Sequence, residues 1–185
     1  KTMKSILIAI LLIPAISWSQ TTEHSKRWEI STVLSYGSEN DLGNGGFMLR
    51  NDYEYLFHKT ISASVRVGFF HSHPSRFNNE PFKRTFSGLT GGLHLNHTAI
   101  FDSERNFVKA SAGLAYFNTR SLYQDGNPLD VRTHVDVASK LGYGLSLEGG
   151  GRLSEKVALG LALDVYSYYI FGDITVIGAN LHFKL

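Results

Sequence analysis

Two histidines and a serine between residues 71 and 75 are, by type and spacing, the side chains best suited to a reactive site. In His73-Pro74-Ser75, the imidazole could act as a base toward a serine nucleophile. His71 and His73 would point the same way in an extended strand, as two metal ligands must. Neither pair has a visible third partner, and the segment is rich in Pro and Asn. We therefore predict no catalytic residue, no metal site and no cofactor.

A second set of polar residues occupies alternate positions within apolar segments. In a strand, these side chains would lie on the face opposite the apolar ones. Acidic and basic members nearly balance, so we expect them to face one another inside a closed sheet and to fill it. The predicted lumen charge network comprises Arg50, Glu54, Arg66, His94, Lys109, Glu148, Asp164 and Lys184.

The elements that carry these residues are strands, because apolar residues recur at every second position and helical periodicity is absent. Beyond the N-terminal segment, no stretch approaches the ~20 apolar residues of a membrane-spanning helix. The alternation predicts eight strands, at residues 28–36, 47–57, 61–69, 89–95, 108–116, 141–147, 157–165 and 177–185.

The connections between the predicted strands alternate in length. Residues 58–60, 98–106 and 154–156 are short links, whereas 37–46, 71–85, 118–140 and 167–173 are longer. Short turns at one end, longer loops at the other and an even number of strands are typical of bacterial outer-membrane barrels. The predicted fold class is all-β, an eight-stranded antiparallel up-and-down transmembrane β-barrel with both termini at the short-turn end.

The apolar face of this barrel would meet lipid and the charged face would line the interior. The reverse would place Arg on the lipid side, at a cost of ~2–4 kcal/mol near the membrane midplane. Small residues on that face would allow close contact with another membrane protein; they are Gly91, Ala110, Ala112 and Ala179. Aromatic residues cluster near the predicted strand ends, at lipid headgroup level. Those near the short turns include Trp28, Phe57, Phe107 and Phe183.

Composition excludes several classes of protein. The chain has 185 residues and a formal net charge of +2, so bulk electrostatics give no indication of a nucleic-acid partner. There is no Cys, which removes disulfides, thiolate metal sites and cysteine nucleophiles. Eighteen Gly against four Pro fit many strands joined by tight turns.

The N-terminus has the pattern of a secretory signal. Lys1 and Lys4 form a basic start, residues 6–13 are an apolar run, and Ser17 and Ser19 are small residues before a cut at Gln20. We predict a cleavable signal peptide over residues 1–19 and a barrel domain over residues 20–185.

The last strand resembles the terminal signal of outer-membrane barrels that the barrel-assembly machinery recognises. Leu181, Phe183 and Leu185 hold alternate positions back from the end, although the final residue is Leu and not Phe. Over residues 27–185 the chain resembles small outer-membrane barrels of the OmpA/OmpW kind, and Ser-Trp-Ser-Gln at residues 17–20 is similar to Bacteroidota signal-peptide ends. The resemblance implies an outer-membrane location, periplasmic termini and contact with outer-membrane lipid and lipopolysaccharide.

Three functions remain open from the sequence. The first is a non-catalytic structural or accessory-subunit role in a larger outer-membrane protein complex. The second is a conduit for small or apolar molecules, which the OmpW likeness suggests. The third is hydrolysis of lipid A, because some lipid A deacylase barrels carry a His-x-Ser motif; here Arg76 stands where that motif has Asn.

Overall fold

The computed structural model describes residues 28–39, 44–58, 60–73, 75–76, 83–102, 105–127, 130–168 and 174–185. The predicted signal peptide, residues 1–19, lies outside these ranges. Among the described residues, no helix is long and apolar enough to cross a membrane.

Eight antiparallel strands form a closed sheet. They are β1 (Trp28–Glu39), β2 (Asn44–Leu56), β3 (Ile61–Ser72), β4 (Lys83–Phe101), β5 (Asn106–Asn127), β6 (Asp130–Arg152), β7 (Val157–Tyr168) and β8 (Ile174–Lys184). Each strand pairs with its neighbour in the chain, and β8 pairs back onto β1. A further two-residue strand, Ser75–Arg76, pairs with Arg84 and Lys83. The predicted eight-stranded up-and-down barrel is confirmed.

The wall of the barrel is apolar outside and polar inside. On the outer face, Leu93 is 67% exposed and Leu141 is 65% exposed, whereas on the inner face Arg50 and Arg66 are fully buried. The alternation of side chains along each strand produces this division, and β3 shows it over its whole length. A surface of exposed leucines around buried arginines is that of a membrane-spanning barrel.

The two chain ends of the described barrel lie together. The amide of Leu185 donates to the carbonyl of Trp28 (3.0 Å), at the end that carries the turns around residues 57–60, 102–105 and 153–156. We call this the short-turn end and the opposite one the hairpin end. The turn after β4 contains Asp102 with a φ of 49°, and the amide of Arg105 donates to its carbonyl (3.1 Å). Asp tolerates this left-handed conformation better than most residues.

The prediction of a long loop over residues 118–140 is wrong. β5 and β6 continue through this segment as a hairpin, in one unbroken register from Asn106 opposite Gly151 to Asn127 opposite Asp130. A strand outside the membrane has no face in lipid and so needs no alternation of apolar residues. The polar sequence of this segment therefore does not indicate that it is extended. We call residues 118–127 and 130–139 the projecting hairpin.

Three smaller expectations also need correction. β3 continues to Ser72 and β4 begins at Lys83, so the predicted loop 71–85 is shorter, and the link between β4 and β5 spans only residues 102–105. Phe107 belongs to β5 and its ring lies 5.1 Å from that of His182. It therefore faces the interior and does not contribute to the outer aromatic belt.

Candidate functional site

The interior of the barrel is the site that the sequence singles out, and its buried polar side chains come from all eight strands. Inward positions alternate along each strand, and antiparallel pairing brings those of neighbouring strands side by side. Asp52 on β2 lies opposite Arg66 on β3, and Lys109 on β5 lies opposite Glu148 on β6. We call the buried charged residues near mid-height the charge cluster; they are Arg50, Asp52, Glu54, Arg66, Lys109, Glu148 and Asp164.

Arg50 is the centre of the charge cluster. Its guanidinium contacts three carboxylates: Asp52 at 3.1 Å, and Glu148 and Asp164 in closer ion pairs. Because Glu148 and Asp164 stand on β6 and β7, these contacts connect β2 to the far side of the barrel. A planar guanidinium with five donors suits a position shared by several carboxylates.

Arg66 makes the second set of contacts. Its Nε and Nη2 donate to the two oxygens of Asp52 at 2.9 and 3.1 Å, which is a bidentate pair. Nη2 also donates to the Ser146 hydroxyl at 3.0 Å, and Nη1 lies 3.9 Å from Asp164. Asp52 thus bridges both arginines, although the predicted network omits it; its position on the inward face of β2 is the signal that could have identified it.

Lys109 connects the charge cluster toward the short-turn end. Its Nζ lies 2.9 Å from Glu54 and 3.2 Å from Glu148. Glu148 also accepts a hydrogen bond from the Asn180 amide (2.6 Å), and the His182 ring lies 3.2 Å from it. Glu148 therefore contacts side chains on β2, β5 and β8, more strands than any other carboxylate of the charge cluster.

Charge balance explains how these groups coexist out of water. Three cations face four carboxylates, and the excess acid is partly met by neutral donors such as Ser62, which donates to Glu54. Removing one member of a buried ionic group leaves its partners uncompensated and is strongly destabilising. The charge cluster therefore connects five strands, β2, β3, β5, β6 and β7, at one level of the barrel.

His94 lies beside the charge cluster without forming an ion pair in it. A Cβ added at Gly144 would come within 2.8 Å of the His94 ring, and one added at Gly92 within 3.0 Å. A Cβ at Gly113 would overlap the carbonyl oxygen of Leu93. These glycines provide the room in which a buried imidazole fits.

Lys184 is placed apart from the cluster. It lines a cavity of about 570 Å³ at the short-turn end, together with Glu29, Phe107 and Lys156. The inner boundary of this cavity includes Lys109 of the charge cluster. Of the eight predicted network residues, the structure thus brings six into direct ion contacts and leaves His94 and Lys184 beside them.

An apolar layer fills the interior between the charge cluster and the hairpin end. The rings of Phe117 and Tyr166 meet edge to face at 5.6 Å, and those of Phe70 and Phe86 lie 5.9 Å apart. The alternation of residues does not predict this layer, because its members are apolar residues on the inward face near the strand ends. Its buried members are Met48, Phe70, Phe86, Ala115, Phe117, Tyr166, Ile174 and Val176.

The remaining predicted residues lie at the surface. Leu181 and Phe183 stand on β8 with partly covered side chains, and Leu185 follows the strand. His73 is exposed and packs against the rings of Phe47 and Tyr36, while Pro74 lies outside the described residues. Within the described ranges, no group of three or more His, Cys, Asp or Glu could hold a metal ion.

Three solved structures share this architecture at low sequence identity. Neisserial surface protein A is 13% identical over 85% of this chain and 96% of its own, with a TM-score of 0.51. A major outer membrane protein from Thermus thermophilus is 15% identical over 84% and 99%, with a TM-score of 0.58. The outer membrane protein OprG from Pseudomonas aeruginosa is 10% identical over 88% and 98%, with a TM-score of 0.55.

These likenesses confirm the fold, that of small eight-stranded outer-membrane barrels, and their identity is too low to carry more. No family model matches the chain, and no curated protein is detectably similar to it.

Proposed function

We propose that this protein is a non-catalytic, non-conducting barrel of the outer membrane that serves as a structural or accessory subunit of a membrane protein assembly. The observation that carries the proposal is the filling of the interior at two successive levels. The charge cluster connects opposite walls at mid-height, and the apolar layer follows toward the hairpin end. Interiors of eight-stranded barrels are narrow enough for side chains to fill completely.

Location and orientation are part of the proposal. An exposed apolar surface around a buried polar interior favours a lipid bilayer, and export by a signal peptide favours the outer membrane. Barrels of this type have short turns on the periplasmic side. Because both described chain ends lie at the short-turn end, we expect them in the periplasm, with the projecting hairpin outside the cell near lipopolysaccharide.

Insertion is expected to use the barrel-assembly machinery. β8 closes the barrel by pairing with β1. The resemblance to the terminal signal lies at Leu181 and Phe183 of this strand and at Leu185, which follows it. Replacing Phe183 by Ser should lower the amount of heat-modifiable barrel in outer-membrane fractions. Unchanged assembly would remove that residue from the signal.

A conduit for small molecules is the second candidate, and the cavity of about 570 Å³ at the short-turn end favours it. That cavity reaches Lys109 of the charge cluster and would serve as an entrance only if the cluster opened. Conductance steps in planar bilayers that change on substitution of Arg66 or Glu148 would favour the conduit.

Lipid A hydrolysis is the third candidate. His73 packs against aromatic rings, and nothing in the described residues supplies an oriented acidic partner for it. An unchanged mass of lipid A after overexpression would exclude this activity, and loss of an acyl chain would establish it.

The accessory role is tested by extraction in mild detergent followed by affinity purification of the tagged barrel. The proposal expects a second membrane protein in stoichiometric amount. A monodisperse monomer under conditions that preserve known membrane complexes would contradict it.

A further inference from the structure

Beyond Gly142, none of the strands in the described ranges pairs with the edge of β6 that faces away from β5. On the β5 side, pairing is continuous as far as Asn127 opposite Asp130. On the β7 side, the described pairing starts only at Gly142 opposite Tyr168. No described strand therefore pairs with residues 130–141 on that side.

The main-chain groups that face this open side belong to alternate residues. The carbonyl of Ala138 accepts a hydrogen bond from the hydroxyl of Thr119 on β5 (3.2 Å), and the amide of Arg152 donates to Arg105 beside β5 (2.7 Å). Even-numbered residues of β6 thus direct their main chain toward β5. The odd-numbered residues direct theirs toward the open side, and these include Thr133, Val135, Val137 and Ser139.

This edge lacks a bulge, a Pro and a Lys, three of the features that prevent pairing with another strand, although Arg132 and Asp136 are charged. The register of β6 against β5 is unbroken, so there is no bulge, and residues 130–139 contain no Pro, Gly or Lys. Val135 and Val137 are exposed, and β-branched residues favour strands. Natural sheets protect exposed edges by bulges, Pro or Lys when no partner is needed.

We propose that the edge of β6 between Thr133 and Ser139 is a docking site for an extended peptide segment of a partner protein, which adds a strand to the projecting hairpin. A row of alternating N–H and C=O groups is complemented only by another main chain, so the occupant is a polypeptide in β conformation. The site lies on the same side of β6 as β7, beyond the last described pair of that ladder, Gly142 opposite Tyr168. The occupant's side chains next to Val135 and Val137 are apolar, because cross-strand neighbours on one face pack against each other.

A second copy of this chain fits the edge less well. Two copies inserted in one membrane hold β6 in the same sense relative to the bilayer, so their edges would meet as parallel strands. Parallel pairing is slightly less stable per residue than antiparallel pairing. A free segment of a partner can approach in either direction.

The inference deepens the proposed accessory role, and it is tested separately from that role. The barrel in lipid nanodiscs is used to select from phage-displayed random twelve-residue peptides, and synthetic copies of the enriched sequences are then titrated by fluorescence anisotropy. The expected sequences alternate apolar and polar residues. Failure of the affinity purification would contradict the accessory role alone, whereas failure of this selection contradicts the docking site alone.

Two variants at one position separate the edge from its side chains. Val137→Pro removes an N–H that faces the open side and leaves the β5 ladder intact, so we expect binding weakened about tenfold or more. Val137→Thr keeps the N–H and should bind within about twofold of the original. An unchanged heat-dependent gel shift controls for folding of both variants.

Three outcomes would overturn the docking site. The first is no enrichment of peptides over selection on the Val137→Pro barrel. The second is equal loss of binding in both variants, which would indicate a side-chain surface. The third is a concentration-dependent dimer that Val137→Pro abolishes, which would assign the edge to a second copy.

Discussion

The barrel interior and the projecting hairpin are built from the same two strands, β5 and β6, but they are held together differently. Within the barrel, Lys109 and Glu148 contact each other and residues of further strands. In the projecting hairpin, the described side-chain bonds, such as Asn118 to Ser139 (3.0 Å), link the two strands only to each other. The interior therefore couples strands around the whole barrel. The hairpin is joined to one neighbour, β4, whose pairing with β5 extends as far as Arg84 opposite Tyr123.

This difference shows which region stabilises the fold and which region can bind a partner. A buried charged group is sensitive to the loss of any one member, because the remaining charges have no water to solvate them. A solvent-exposed hairpin with an open edge has few such dependencies. The contrast assigns stability to the interior and interaction to the hairpin.

The largest expected effect follows from removing the centre of the charge cluster. Arg50→Met leaves Asp52, Glu148 and Asp164 without their shared cation, so we expect a loss of about 3–5 kcal/mol in the free energy of unfolding. Urea titration in lipid vesicles measures it. Lys184→Met, beside the cavity at the short-turn end, is the control and should change the free energy by less than about 0.5 kcal/mol. Equal effects of the two substitutions would refute the contrast between the charge cluster and the short-turn end.

A second effect compares two glycines on opposite faces of the wall. A Cβ at Gly113 would overlap Leu93 and lie 2.7 Å from His94 Cα, so Gly113→Ala should cost about 1–3 kcal/mol. A Cβ at Gly91 would meet its nearest atom at 4.0 Å, on the lipid side. Gly91→Ala should therefore be neutral or stabilising by up to about 1 kcal/mol. The same urea titration distinguishes them, and a reversed order would mean that the faces are misassigned.

The smallest effect concerns the hairpin. Replacing residues 124–133 by Asn-Gly joins Tyr123 to His134, which already stand opposite each other, and keeps every described pair between β4 and β5. We expect a change below about 1 kcal/mol in unfolding free energy and an unchanged heat-dependent gel shift. A loss comparable to that of Arg50→Met would show that the hairpin supports the barrel.

Much of the fold could be predicted from the alternation of apolar and polar residues. That pattern appears where one face meets lipid, as in β3 and β7, and it identified all eight strands. It could not show that β5 and β6 continue through residues 118–140, because in water both faces of a strand can be polar. Strand extension there depends on pairing between the two strands, which a single segment does not reveal.

The interior could be predicted only in part, because the contacts between its side chains also depend on how the strands pair. Charged residues on an otherwise apolar strand are conspicuous, so Arg50, Arg66 and Glu148 could be found. Which of these residues contact each other depends on the strand register around the closed barrel. That register places Lys184 at the short-turn end and Asp52 between two arginines. The apolar layer around Phe117 could not be recognised, because apolar residues near strand ends also fit an aromatic belt.

The most direct test of the central claim, that the charge cluster and the apolar layer close the lumen, is conductance of the purified barrel in planar lipid bilayers. A lumen closed at both levels gives no conductance steps for the original chain, in preparations whose heat-dependent gel shift shows a folded barrel. Reproducible ohmic steps that change size in Glu148→Gln would contradict it and establish an open path through the charge cluster.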